Sequence, residues 1–145
     1  MTRKIILRDI PDSLFWDAGY LIACFATEDQ YHNGALKIRK YLACKKIKLV
    51  TSWPSVSEAS TLLLYHYGYS HALALFGSME AFEIITPLED EYQKATALFA
   101  KLDKDHKLSF NDVLTYQIIK ERLKSIPLLT FDKDFSKVGL TVFIP

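Results

Sequence analysis

A chain of 145 residues has the size of one domain, and with half of its residues hydrophobic it can bury one core, which excludes the disordered class. Its 18 Lys and Arg against 17 Asp and Glu leave a formal charge of +1, which excludes a broadly basic surface, so any contact with a polyanion must rest on local patches. The two cysteines, Cys24 and Cys44, stand at no zinc-ligand spacing, and both read as reduced core thiols.

Residues 1 to about 12 form a polar lead-in that ends at Pro11-Asp12. Arg8 and Asp9 interrupt the apolar run Ile5–Leu7 before a signal peptide can form, and no stretch is long enough to span a bilayer. A soluble, cytoplasmic protein without a membrane partner is therefore expected, with residues 1–145 as a single domain.

Leu14-Phe15-Trp16 is a short buried strand running into Asp17, and the helix after it covers Ala18 to Ala26. A second helix, Tyr31 to Lys45, spaces Ala35, Ile38 and Leu42 along one face and ends on two lysines, which suits a helix C-terminus. Lys48 to Thr51 is a second strand. Ser52-Trp53-Pro54 breaks it and opens a helix with Val56, Ala59, Leu62 and Leu63 facing inward and Glu58 one turn inside. Gly68 ends that helix, Ser70 caps another running to about Glu80, and Phe82 to Ile85 is a third strand stopped by Thr86-Pro87.

A helix from Glu89 to Leu102 follows, and a polar loop then leads to Ser109-Phe110-Asn111-Asp112. There Ser109 is placed to cap a helix with an acid three residues on, and that helix runs to about Lys124. Pro127 to Thr130 and Thr141 to Ile144 are the fourth and fifth strands, joined through the turn Asp132-Lys133-Asp134. Strands alternating with helices predict an α/β fold whose parallel sheet is covered on both faces.

Asp17 and Asp132 end strands, Asp112 opens a helix, and Glu58 lies in the first turns of the helix after the second strand. In an open parallel sheet the crevice outside the carboxyl ends of the strands binds ligands, so the four acids should meet in one cleft. Clustered carboxylates repel one another, and a divalent cation relieves the repulsion. Magnesium keeps several of its waters on such ligands, which suits phosphodiester hydrolysis. Taken one at a time, each acid has a structural reading as well. Asp112 is placed as a cap, Glu58 can complement a helix dipole, and Asp132 or Asp134 can be a turn residue.

Four segments together resemble the PIN domains, and in particular the virulence-associated toxin ribonucleases of bacterial toxin–antitoxin pairs. Phe15-Trp16-Asp17-Ala18-Gly19-Tyr20-Leu21-Ile22-Ala23 is similar to the opening motif, and Val50-Thr51-Ser52 through Ser57-Glu58-Ala59 to the segment of the second acid. Leu108-Ser109-Phe110-Asn111-Asp112 resembles the third and Leu129-Thr130-Phe131-Asp132-Lys133-Asp134-Phe135 the fourth, and these two are the most specific. The resemblance covers nearly the whole chain. It implies a three-layer α/β/α sandwich with a mainly parallel five-stranded sheet, and an endoribonuclease using Mg2+ or Mn2+ at Asp17, Glu58, Asp112 and Asp132. It also implies RNA as substrate, a homodimer, and a small antitoxin whose helix and an Arg cover the cleft.

One departure stands out: Ala18-Gly19 follows the first acid where PIN domains commonly carry Thr or Ser. A hydroxyl that would orient a ligand is absent there, and Ser109 or Thr130 is a candidate to replace it. The alternative function is a PIN-like module with weakened catalysis that binds RNA or protein. A phosphoacceptor regulator or an Asp-nucleophile phosphatase needs paired acids or a DxDxT-type signature at the first strand, which Asp17-Ala18-Gly19 lacks.

Lys104 and Lys107 before the third acid, and Lys133 and Lys137 around the fourth, are either phosphate contacts or ordinary solvated surface. The aromatic run Tyr65 to His71 reads as a helix end packed on the core, or else as a stacking or protein surface. His66 and His71 lack the spacing of a zinc pair.

Overall fold

The computed structural model describes residues 12–102, 104–105, 107–124, 126–131 and 142–143. Five strands appear in chain order: β1 (Ser13–Trp16), β2 (Lys48–Ser52), β3 (Phe82–Ile85), β4 (Leu128–Leu129) and β5 (Val142–Phe143). They form one sheet in the spatial order β3-β2-β1-β4-β5, and every neighbouring pair is parallel. The helices are α1 (Ala18–Phe25), α2 (His32–Cys44), α3 (Trp53–His66), α4 (Tyr69–Gly77), α5 (Glu89–Lys101) and α6 (Phe110–Glu121).

The two-residue period of the strands sorts the core into two layers. Leu14, Trp16 and Leu129 face one side, where they pack with Leu21 of α1, Leu42 of α2, Leu63 of α3 and Leu75 of α4. Phe15, Val50 and Leu128 face the other side, against Ala95 of α5 and Val113, Leu114 and Ile118 of α6. Burial on both faces matches the unbroken apolar runs Leu14–Trp16 of β1 and Leu128–Leu129 of β4, and the expected three-layer sandwich follows.

Local chemistry sets several boundaries. Pro54 sits in the first turn of α3, where its missing N–H costs nothing, and the Ser52 hydroxyl accepts from the Ser55 N–H at 3.3 Å. Gly68 closes α3 as expected, with its N–H reaching the Leu63 carbonyl at 2.9 Å. The same Gly68, at φ 113°, also begins α4, so Ser70 is inside that helix rather than its cap. Helix α4 stops at Gly77 instead of running to Glu80, and a 3-10 turn, Met79–Ala81, completes the connection. Helix α6 ends at Glu121, three residues before Lys124, whose φ of 52° cannot continue a helix.

Three other expectations change. Leu62 is on the open side of α3 and is exposed, because helical spacing from Ala59 and Leu63 turns it away from the sheet. Cys24 is buried as expected, but Cys44, at the last turn of α2, is exposed. In the aromatic run, Tyr67 packs on the core while Tyr65 and Tyr69 are the most exposed large hydrophobic side chains described. None of the described helices is long and apolar enough to cross a membrane.

Candidate active site

Strand β1 is flanked by β2 on one side and β4 on the other, so the chain order reverses beside it. Such a switch point opens a crevice at the carboxyl ends of the strands. Asp17 follows β1 there, and Thr130 follows β4. Asp17 caps α1, with Oδ1 accepting from the Tyr20 N–H at 2.8 Å, while its Oδ2 accepts from the Thr130 hydroxyl. The Thr51 hydroxyl donates to the Trp16 carbonyl at 2.9 Å and so ties the end of β1 to β2. Only 7% of Asp17 is exposed, and its carboxylate is oriented by partners from two elements.

A hydroxyl does reach the first acid, from Thr130, one of the two candidates the sequence offered. Sterics do not explain Gly19, since a Cβ there would stand 3.6 Å from Asp17 Oδ1, in ordinary contact.

Glu58 lies in the second turn of α3. Its Oε2 accepts from the Asn111 amide nitrogen at 2.8 Å, and the same nitrogen reaches Ser55 Oγ at 3.3 Å. Asn111 therefore links α6 to α3, and its own carbonyl oxygen is buried without a hydrogen-bond partner among the described residues. Asp112, the next residue, closes a reciprocal cap: the Ser109 N–H donates to Asp112 Oδ2 at 2.8 Å, and the Asp112 N–H donates to Ser109 Oγ at 3.1 Å. The structural reading of Asp112 as a cap is correct, and it does not remove the residue from the cleft.

Asp17, Glu58 and Asp112 line a common cleft of about 400 Å³ with Ala18, Gly19, Ile22, Asp29, Tyr31, Leu62 and Phe131. Three of the four acids singled out in the sequence are brought together in this way. Asp132 lies outside the described residues, as do Lys133, Asp134 and Lys137. Lys104 and Lys107 are exposed and do not line the cleft. Among the described residues no three Asp, Glu, His or Cys side chains are grouped so as to hold a metal ion. The donor set that lines the cleft is all oxygen, and it fits a hard cation that keeps its waters, as magnesium does, better than a closed nitrogen and sulfur site.

Beneath the cleft, burial favours the neutral forms of Tyr20 and Cys24. Burial pushes the Tyr20 phenol well above its usual range, with the Cys24 and Asp17 charges adding to the shift. Burial also pushes the Cys24 thiol up to about 12, against the opposing pull of Arg39. Three cleft residues escaped the sequence, Asp29, Tyr31 and Phe131, and so did Asn111, which braces Glu58. Asn111 sits next to a recognised acid, but its bond to Glu58 spans 53 residues, and no local pattern encodes such a contact.

The chain matches the family model of the PIN domain over residues 14–140. No curated protein matches it. Its fold is similar to that of Mycobacterium tuberculosis VapC20, a sarcin-ricin loop cleaving toxin, at 22% identity and TM-score 0.77, covering 88% of this chain and 96% of that one. A toxin–antitoxin complex from Klebsiella pneumoniae is similar at 19% identity and TM-score 0.62, covering 87% and 92%. PAE2754 from Pyrobaculum aerophilum aligns over 99% of this chain and 92% of its own, at 17% identity and TM-score 0.59. A family match across this span, on a fold that gathers the three acids at the switch point, means that the chain belongs to the PIN domain family.

Proposed function

We propose that this PIN domain is a Mg2+- or Mn2+-dependent endoribonuclease, acting in the cytoplasm as the toxin of a toxin–antitoxin pair. The observation that carries the reading is the convergence of Asp17, Glu58 and Asp112, from three separate elements, on one cleft. Asp132, which follows β4 and Thr130 in sequence, is proposed as the fourth acid. The similarity in fold to a toxin that cleaves the sarcin-ricin loop, and to a toxin–antitoxin complex, supports RNA as substrate and an antitoxin as partner.

The four carboxylates are the groups that would hold the cation. When bound, it polarises the scissile phosphate and lowers the pKa of an attacking water. The protein's own contribution is orientation. Thr130 and the Tyr20 N–H fix the Asp17 carboxylate, Asn111 fixes Glu58, and the Ser109 cap fixes Asp112. The Thr130 hydroxyl on Asp17 also favours an active enzyme over the weakened RNA- or protein-binding module, because the role of the missing Thr or Ser is taken over. The exposed apolar side chains Leu64, Tyr69, Leu73 and Phe76 on α3 and α4 support a homodimer, and a monomer in solution would remove that part of the reading.

The test is cleavage of a structured RNA in magnesium or manganese and in chelator, with Asp112→Asn as control. Asn keeps an acceptor for the Ser109 N–H, so the cap survives while the charge is lost. Cleavage is expected only with metal, and the variant should be slower by about a hundredfold or more. Equal rates for wild type and variant would end the nuclease assignment.

A further inference from the structure

The cleft has an aromatic component that the acids do not use. Tyr31 lies at the start of α2 and Phe131 just after β4, 100 residues apart in sequence, and their rings stack with centroids 4.4 Å apart and planes 15° from parallel. Phe131 stacks in turn on Tyr20 at 4.9 Å and 9°, and Tyr20 is buried edge-on against Trp16 at 4.8 Å. The result is a column of near-parallel rings rising from the core to the cleft. Its base is fully buried, and its outermost member, Tyr31, is 46% exposed.

A ring held from behind in this way is a prepared platform. Its orientation is fixed by Phe131, and its backbone is fixed by the Tyr31 N–H donating to Asp29 Oδ1 at 2.7 Å, so little entropy is lost when a flat partner lands on it. Tyr31 and Phe131 line the same cleft as Asp17, Glu58 and Asp112, with Ile22 and Leu62 adding apolar surface. One pocket therefore offers both a stacking surface and carboxylates suited to a cation-bridged phosphate. A nucleotide needs that pairing, because every base has a π-face and each is tethered to a phosphate.

We infer that Tyr31, backed by Phe131 and Tyr20, is a base-stacking subsite that seats an unpaired nucleobase of the RNA next to the scissile phosphate. Asp29 beside it adds a carboxylate that repels backbone phosphates and accepts from base amino or imino groups, so a base edge with N–H donors is favoured at this position. The subsite rests on the nuclease reading for its substrate. It binds by stacking, and it adds nothing to the hydrolysis chemistry.

The test compares single-stranded RNA oligonucleotides that differ by one abasic nucleotide, placed at each position in turn. Binding is read by fluorescence anisotropy in calcium and cleavage in magnesium, for wild type, Tyr31→Phe, Tyr31→Leu and Tyr31→Ala. At one position the abasic site is expected to weaken binding to wild type and Tyr31→Phe by about tenfold, within the range for loss of one base–aromatic stack. Tyr31→Leu and Tyr31→Ala should bind the intact RNA more weakly by a similar factor and be indifferent to that abasic site. Tyr31→Leu keeps an apolar side chain of similar bulk over Phe131, so its unchanged melting temperature separates loss of stacking from loss of folding. Wild-type binding by both alanine and leucine variants overturns the subsite, as does discrimination that persists in them. So does a defect confined to binding a protein partner. The two readings fail separately: the binding pattern without metal-dependent cleavage sinks the nuclease and spares the platform, whereas cleavage with binding indifferent to Tyr31 does the reverse.

Discussion

Glu91 and Asp17 are both nearly buried carboxylates near the start of a helix, at 5% and 7% exposure, and the chain treats them differently. Glu91 Oε1 accepts from the Leu88 N–H at 2.8 Å and from the Arg122 guanidinium at 3.0 Å, and the same guanidinium nitrogen donates to the Thr86 carbonyl at 3.0 Å. Asp17 is held by the Tyr20 N–H and the Thr130 hydroxyl. A guanidinium neutralises the acid it orients. The Asn111 amide, by contrast, orients Glu58 without adding a charge of its own. The contrast sets an acid paired across α5 and α6 beside acids that line the cleft, for which the proposed function requires a cation.

The comparison breaks most visibly in cleavage rates. Asp17→Asn should lower RNA cleavage by about a hundredfold or more, whereas Glu91→Gln should leave it within about twofold of wild type. Matching losses in the two variants would erase the distinction.

Stability should show the opposite order. Glu91→Ala strips the Arg122 guanidinium and the Leu88 N–H of their shared acceptor, and it should cost about 2 kcal/mol, discounted because the Arg122 side chain is 38% exposed. Glu58→Gln in chelator should melt at or above the wild-type temperature, because it removes charge from the cleft and keeps an acceptor for Asn111. A large drop in the Gln variant would make Glu58 a structural residue.

Thr130→Val sharpens the same contrast at smaller scale, since it preserves shape and removes only the hydroxyl donated to Asp17. Cleavage should fall by about tenfold, the lower end for loss of a group that orients a metal ligand. Unchanged activity would mean that the Thr130 hydroxyl is not needed to hold the carboxylate.

How much of this was readable from the sequence depends on the range of each interaction. The strand running into Asp17, the Pro54 helix start and the Ser109–Asp112 cap are written in neighbouring residues, and each is found where local chemistry puts it. Gly68 was legible as a breaker, but not as the N-cap of the next helix, because glycine signals left-handed backbone without saying which segment uses it. Leu62 misled because an apolar residue beside two buried ones looks like core until the helix is docked. The acids were legible through their order along the chain. Their supports were not: the Thr130–Asp17 and Asn111–Glu58 bonds join residues 113 and 53 apart, and the Tyr31–Phe131 stack joins β4 to α2.

The smallest effect comes from an ion pair that resembles Glu91–Arg122 on paper. Lys94 Nζ lies 2.7 Å from Glu121 Oε2 between α5 and α6, with both side chains about half exposed. The hydrogen bond between them lowers the Glu121 pKa and raises that of Lys94. A lowered carboxylate pKa means that the pair stabilises above the unfolded value of 4.5 and that this support is lost as pH falls through the folded value. On the alkaline side, the raised Lys94 value keeps the support in place below 10.5, and it fades as pH climbs past the folded value. Water and salt screen both charges, so Glu121→Gln should lower the melting temperature only slightly at neutral pH. That small difference should vanish in high salt, and again as pH falls through the folded Glu121 value, which lies below 4.5. If it instead matched the loss in Glu91→Ala and resisted salt, burial would not be what separates the two pairs, and the structural role given to Glu91 would need another cause.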